Sequence, residues 1–173
     1  GLALRYLKAP ATLVGSAVSQ ALYPRLVRAD PVRARQLVRR LMAVLALPGL
    51  LVMGVLLVGG PWLFEFLFGA AWREAGELAR ALAPYIAAHF VAAPLAVVTM
   101  AWRAQAWAFR LALIGQIVFV LALAAGLRHG GLLTGAWAVS AVMVPYFGCY
   151  LWRLAHWPCI PGSLAATARE GGP

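Results

Sequence analysis

Acidic residues are scarce in this chain: five in 173, against fifteen Lys and Arg. Asp30 precedes Pro31 as a helix N-cap, and Glu170 lies near the end. That leaves Glu65, Glu74 and Glu77, with no His or Asp motif beside them. A membrane enzyme needs acids, bases or metal ligands gathered at one surface, and this inventory supplies none. No phosphate-binding glycine loop, calcium loop or HExxH pattern occurs. The two cysteines, Cys149 and Cys159, are too few and too far apart for a zinc site or a disulfide framework. No catalytic function, metal or cofactor is therefore expected.

Also missing are an initiator Met and a secretory leader. The pattern begins midway at Gly1, so the chain reads as a piece of a longer protein.

What the chain has is length without charge. Leu41–Phe64, Ala81–Trp102, Leu111–Leu127 and Leu132–Trp152 contain no Asp, Glu, Lys or Arg. A helix of about 20 apolar residues crosses a hydrocarbon core of about 30 Å. Hydrophobic residues make up 64% and the mean hydropathy is +0.83, too apolar for a soluble domain of this size to hide. The expected fold is all-α: a polytopic transmembrane bundle over residues 1–154 with about five spanning helices. Their expected limits are 2–23, 41–61, 81–102, 106–127 and 132–153, followed by a tail over 155–173.

The net charge of +10 does not imply nucleic acid, because the basic residues flank apolar runs instead of forming a basic face with interleaved aromatics. Arg25, Arg28, Arg33, Arg35, Arg39 and Arg40 crowd one connection; Arg103 and Arg110 bound the next but one; Arg153 follows the last run. The alternate connections hold Arg73, Arg80 and Arg128, offset by Glu65, Glu74 and Glu77. The positive-inside rule assigns 25–40, 103–110 and 153–173 to the cytoplasm. Arginines at the start of the second helix can also reach anionic headgroups, although topology alone accounts for them.

Several local features sharpen this expectation. Pro48-Gly49 should interrupt the second span and Gly59-Gly60-Pro61 should end it, leaving Trp62–Trp72 as an interfacial segment. Pro84 and Pro94 fall within the third span, which is tolerable only where neighbours satisfy the freed carbonyls. The fourth and fifth helices should form a hairpin over Arg128-His129-Gly130-Gly131. Glu77 and Arg80, three apart, are expected to form an exposed ion pair. His89, within a span, is expected to be packed and hydrogen-bonded.

The first helix, about Leu2–Tyr23, is the least apolar. Arg5, Lys8, Thr12, Ser16, Ser19 and Tyr23 share one stripe at 100° per residue, with Gln20 at its edge. Inside a bilayer such a stripe must face protein or water. It fits three arrangements: the lining of a cavity, an amphipathic helix in the interface, or close packing through Gly15, Ser16 and Ser19.

Three ordered stretches carry a resemblance. The first runs from Ala9-Pro10 through Gly15-Ser16-Ala17-Val18-Ser19-Gln20 to Tyr23-Pro24-Arg25-Leu26. The second is the Arg-rich turn into a span closing with Gly60-Pro61-Trp62-Leu63-Phe64. The third combines Leu67-Phe68-Gly69, Trp72-Arg73-Glu74-Ala75-Gly76 and Leu82-Ala83-Pro84-Tyr85. In order and spacing the chain resembles the C-terminal half of oligosaccharide flippases, the polysaccharide-biosynthesis branch of the multidrug/oligosaccharidyl-lipid/polysaccharide exporter superfamily. The resemblance covers about Leu2–Leu154.

It implies a two-bundle transporter in the bacterial cytoplasmic (inner) membrane, working by alternating access on undecaprenyl-diphosphate-linked oligosaccharide for lipopolysaccharide or other surface polysaccharide. This chain would be most of the second bundle, and its partners would be the lipid-linked substrate, membrane lipids and an N-terminal helical bundle. On helical geometry, Arg5 and Lys8 are the expected diphosphate anchors, with Thr12, Ser16, Ser19 and Gln20 toward the sugar. Two other readings stay open: a noncatalytic subunit of a polysaccharide assembly complex, and a small-molecule efflux transporter of the same superfamily. Drug exporters usually carry intramembrane acids for cation coupling, and no Asp or Glu falls inside an expected span here.

Overall fold

A computed structural model describes residues 31–102 and 104–156. The expected first span and all but Ala155 and His156 of the expected tail lie outside the described residues. Every regular element among them is helical: α1 (Pro31–Phe68), a 3-10 turn (Ala70–Trp72), α2 (Arg73–Ala92), a second 3-10 turn (Ala93–Leu95), α3 (Ala96–Ala101) and α4 (Gln105–Ala155). Three stretches are long and apolar enough to cross a membrane: Val32–Phe68, Ala70–Ala101 and Gln105–Ala155.

Helix α1 begins with strong helix formers, Arg35, Gln36, Leu37, Arg39 and Leu41. It does not stop at Gly59-Gly60-Pro61, as its sequence suggests, but continues to Phe68. Two rows of aromatics explain the extension. Trp62 stacks on Phe66 at 5.4 Å, and Phe64 meets Phe68 at 5.9 Å. Residues four apart meet this way only on a helix. The segment Trp62–Trp72 is therefore mostly the last turns of α1, continuous with the helix. The reversal comes at Gly69, whose φ of 96° and ψ of 169° lie in a region essentially reserved for glycine. Its N–H donates to the Glu65 carbonyl at 2.8 Å, closing the end of α1.

Helix α2 returns antiparallel along α1, and the two backbones nearly touch. A Cβ placed on Gly76 would meet the Gly60 carbonyl oxygen and the Pro61 Cα, each at 2.6 Å. Nearer the other end, Gly49 of α1 lies against the Ala87 carbonyl, Phe90 and Val91 of α2. Small residues are the means by which helices associate where water supplies no hydrophobic drive.

Helix α4 consists of two helical arms joined where the chain leaves helical geometry at Gly130 and at Gly131, where φ is 82°. Its two arms fold against each other as the hairpin expected from Arg128-His129-Gly130-Gly131. The Tyr146 hydroxyl donates to the Leu111 carbonyl at 2.7 Å, Trp107 stacks on Tyr150, and Gly126 abuts the Gly135 backbone. Residues 106–127 and 132–153 fall in these two arms.

The second arm docks on α2. The buried Ser140 hydroxyl donates to the Ala81 carbonyl at 2.6 Å. Pro84 has no N–H, so the Arg80 carbonyl loses its helical donor; the Ser140 hydroxyl reaches the carbonyl next to it, that of Ala81, and ties the two helices together there. Ser140→Ala is expected to cost about 0.6 kcal/mol, with about 1.7 as the upper bound for such bonds. Denaturant titration in mixed micelles measures it; an unchanged midpoint would mean that this interhelical bond contributes nothing to stability.

A second apolar cluster closes the opposite end. Ala34, Val38 and Leu45 of α1 pack with Val91, Leu95, Val98, Ala101, Trp102 and Leu154. Outside these contacts the surface is apolar: Val58 is 89% exposed, and Leu47, Leu51, Phe109, Ile117 and Leu121 also point outward. An apolar exterior of this extent belongs to a membrane protein.

Candidate functional site

The residues expected to hold substrate, Arg5, Lys8, Thr12, Ser16, Ser19 and Gln20, all lie outside the described residues. What the described helices form is a cavity of about 540 Å³ between the α2–α3 rod and the two arms of α4. Its origin is local. At Pro94, which lacks an N–H, the chain takes a 3-10 turn over Ala93–Leu95 and resumes as α3. Alanines at 92, 93, 96, 108 and 112 then leave the facing helices too thin to fill the gap.

The remaining lining is aromatic or weakly polar: His89, Thr99, Gln105, Phe109, Tyr146, Phe147 and Tyr150. Among the described residues no charged side chain lines it. The Thr99 hydroxyl donates to the Ala96 carbonyl at 2.7 Å, and Tyr146 is held by Leu111. Both hydroxyl hydrogens are committed to backbone, leaving oxygen lone pairs open to the space. The His89 ring lies between Tyr85 at 5.8 Å and Phe147 at 5.5 Å. Among the described residues it has ring contacts and no hydrogen bond, which corrects the expectation of a hydrogen-bonded histidine. The arrangement can hold an apolar or flat ligand.

Charge is confined to the two ends of the bundle. Arg33, Arg35, Arg39, Arg40, Arg110 and Arg153 occupy the end where α1 begins and α4 ends. Glu65, Glu74 and Glu77 share the other end with Arg73, Arg80 and Arg128. There Arg73 pairs with Glu65 at 2.9 Å across the Gly69 turn. Glu77 and Arg80 do not form the pair expected of them. The Arg80 stem packs beside Gly60, while Glu74 and Glu77 border a shallow cleft of about 310 Å³ with Leu78, Leu132 and Leu133.

Among the described residues no three His, Cys, Asp or Glu side chains converge as metal ligands. Sequence reasoning did not find the cavity. Its signal was present in the spaced alanines on either side of Pro94, but alanine is too common in membrane helices to be read alone. No family model, curated protein or solved structure matches the chain.

Proposed function

We propose that the chain is one bundle of a transporter that moves an undecaprenyl-diphosphate-linked oligosaccharide across the bacterial cytoplasmic membrane, for lipopolysaccharide or other surface polysaccharide. The observation that carries this reading is the cavity at the break between α2 and α3. Irregular backbone at membrane depth is tolerable where it lines a cavity, and interrupted helices beside a central space are a recurring device of transporters.

The proposed substrate has two unlike parts, a long prenyl chain and a hydrated, doubly charged head. The uncharged, alanine- and aromatic-walled cavity suits the chain. The head needs fixed cations and hydrogen-bonding groups, for which the stripe from Arg5 to Gln20 is the candidate. In this reading the bundle contains five spans, pairs with a second bundle, and keeps its arginine-rich end in the cytoplasm.

A second reading, small-molecule efflux, draws on the same apolar wall. One reconstitution separates them. Full-length protein in vesicles loaded with undecaprenyl-diphosphate-linked oligosaccharide should expose the glycan to an external lectin within the assay, with no export of a lipophilic dye. Ala112→Trp, which fills the cavity, should slow exposure by about tenfold or more at equal protein, equivalent to about 1.4 kcal/mol of clash. Dye export without glycan movement would establish the efflux reading. Movement of neither would leave a noncatalytic subunit of an assembly complex.

A further inference from the structure

The first turns of α1 contain two arginines, Arg35 and Arg39, on one side of the helix. Arg35 and Arg39 are four apart, so their Cβ atoms lie about 5–6 Å from each other on one face of the helix. Like charges at that spacing repel, and a bound anion reverses the sign of the interaction.

Arg39 is tied to the end of α4. Arg39 donates through Nη2 to the Ala155 carbonyl at 3.3 Å, at the last turn of α4. That carbonyl belongs to a helix C-terminus, where partial negative charge gathers and cations are favoured. Leu154, fully buried beside Val38, fixes the end of α4 against α1. Arg35 is half-buried, and its Nε is shielded from solvent with no hydrogen-bond partner among the described residues. A buried donor left unmatched is costly, and this half-buried side chain must shift for an outside acceptor to reach it.

Asp30, the one acid next to this end in sequence, lies outside the described residues. The described carboxylates, Glu65, Glu74 and Glu77, are all at the far end of the bundle. The charge-free stretch of α1 starts at Leu41, so Arg35 and Arg39 lie at headgroup level once that stretch is in hydrocarbon. The abundant anion at that level is a phospholipid phosphate.

We propose that Arg35 and Arg39 form a binding site for the headgroup of an anionic phospholipid, with the lipid bridging the beginning of α1 and the end of α4. This rests on the membrane character of the helices and holds whichever substrate the protein moves. Topological charge bias would need the arginines only on one side; the site additionally requires these two at this spacing.

The test uses full-length protein in neutral detergent, titrated with phosphatidylglycerol and read as bound lipid by native mass spectrometry. Arg35→Gln with Arg39→Gln should weaken binding about 25-fold, and each single change about fivefold. Arg35→Lys with Arg39→Lys should keep most of the affinity. Arg73→Gln with Arg80→Gln, at the far end, should leave it unchanged. Should the double glutamine variant not fold, the two single variants decide. Equal binding by parent and variants overturns the proposal. So does equal binding of phosphatidylcholine, full displacement by millimolar inorganic phosphate, or capture of undecaprenyl diphosphate without phosphatidylglycerol.

Discussion

Gly76→Leu in the full-length protein is expected to abolish its accumulation in the membrane. A single added Cβ already meets the Gly60 carbonyl oxygen and the Pro61 Cα at 2.6 Å, and both are backbone atoms that cannot rotate aside. A leucine therefore forces α1 and α2 apart along the length over which they pair. Overpacking usually costs about 1–3 kcal/mol, and a backbone obstacle puts this site at or above the top of that range. Gly59→Leu is the matched control: no atom lies within 4 Å of a Cβ there. It should change stability by less than about 0.5 kcal/mol. Membrane abundance and thermal unfolding in detergent read both variants. Equal behaviour of the two would mean that the α1–α2 contact contributes nothing to the fold.

Arg5→Gln with Lys8→Gln is expected to stop glycan export while leaving abundance near that of the parent. The two lie outside the described residues, so the prediction rests on their spacing with Thr12, Ser16, Ser19 and Gln20. A diphosphate in a low-dielectric passage needs fixed positive charge, and neutral amides of similar length keep bulk without supplying it. Leu7→Gln, on the opposite face, should instead lower abundance by setting an amide against lipid or packed helices. Complementation of a flippase-deficient strain, read beside membrane abundance, separates the outcomes. Normal export by the double variant would make the stripe a packing or interfacial surface.

The parts of the fold legible in the sequence are those governed by local rules. Charge-free length announced the apolar helices, and Arg128-His129-Gly130-Gly131 announced the reversal within α4, because charge and paired glycine are unwelcome inside a bilayer helix. Pro94, expected inside one span, is where α2 gives way to a 3-10 turn and α3. Pro61 misled in the opposite direction. A proline reads as a stop when only the chain's own hydrogen bonds are counted, whereas Gly60 packed on Gly76 and the stacked Trp62–Phe66 pair hold that turn helical. The ion pair was missed on the same ground: Glu65 and Arg73 are eight apart and meet only because Gly69 folds the chain back. Spacing along one helix favoured Glu77 and Arg80, which the packing of α1 keeps separate. The cavity was illegible because it consists of what is absent between helices, and no single position records that.

The contact between Arg39 and the Ala155 carbonyl also sets an order of events during biosynthesis. Its partners are separated by 116 positions, so ribosomes adding about 5–20 residues per second need between about 6 and 23 s to bring the second after the first. Throughout that interval the basic beginning of α1 lacks its helix-end acceptor, although α1 and α2 can already pair. Truncation upstream of Leu154 would hold the nascent bundle in that open form, making it a natural client for membrane-protein quality control.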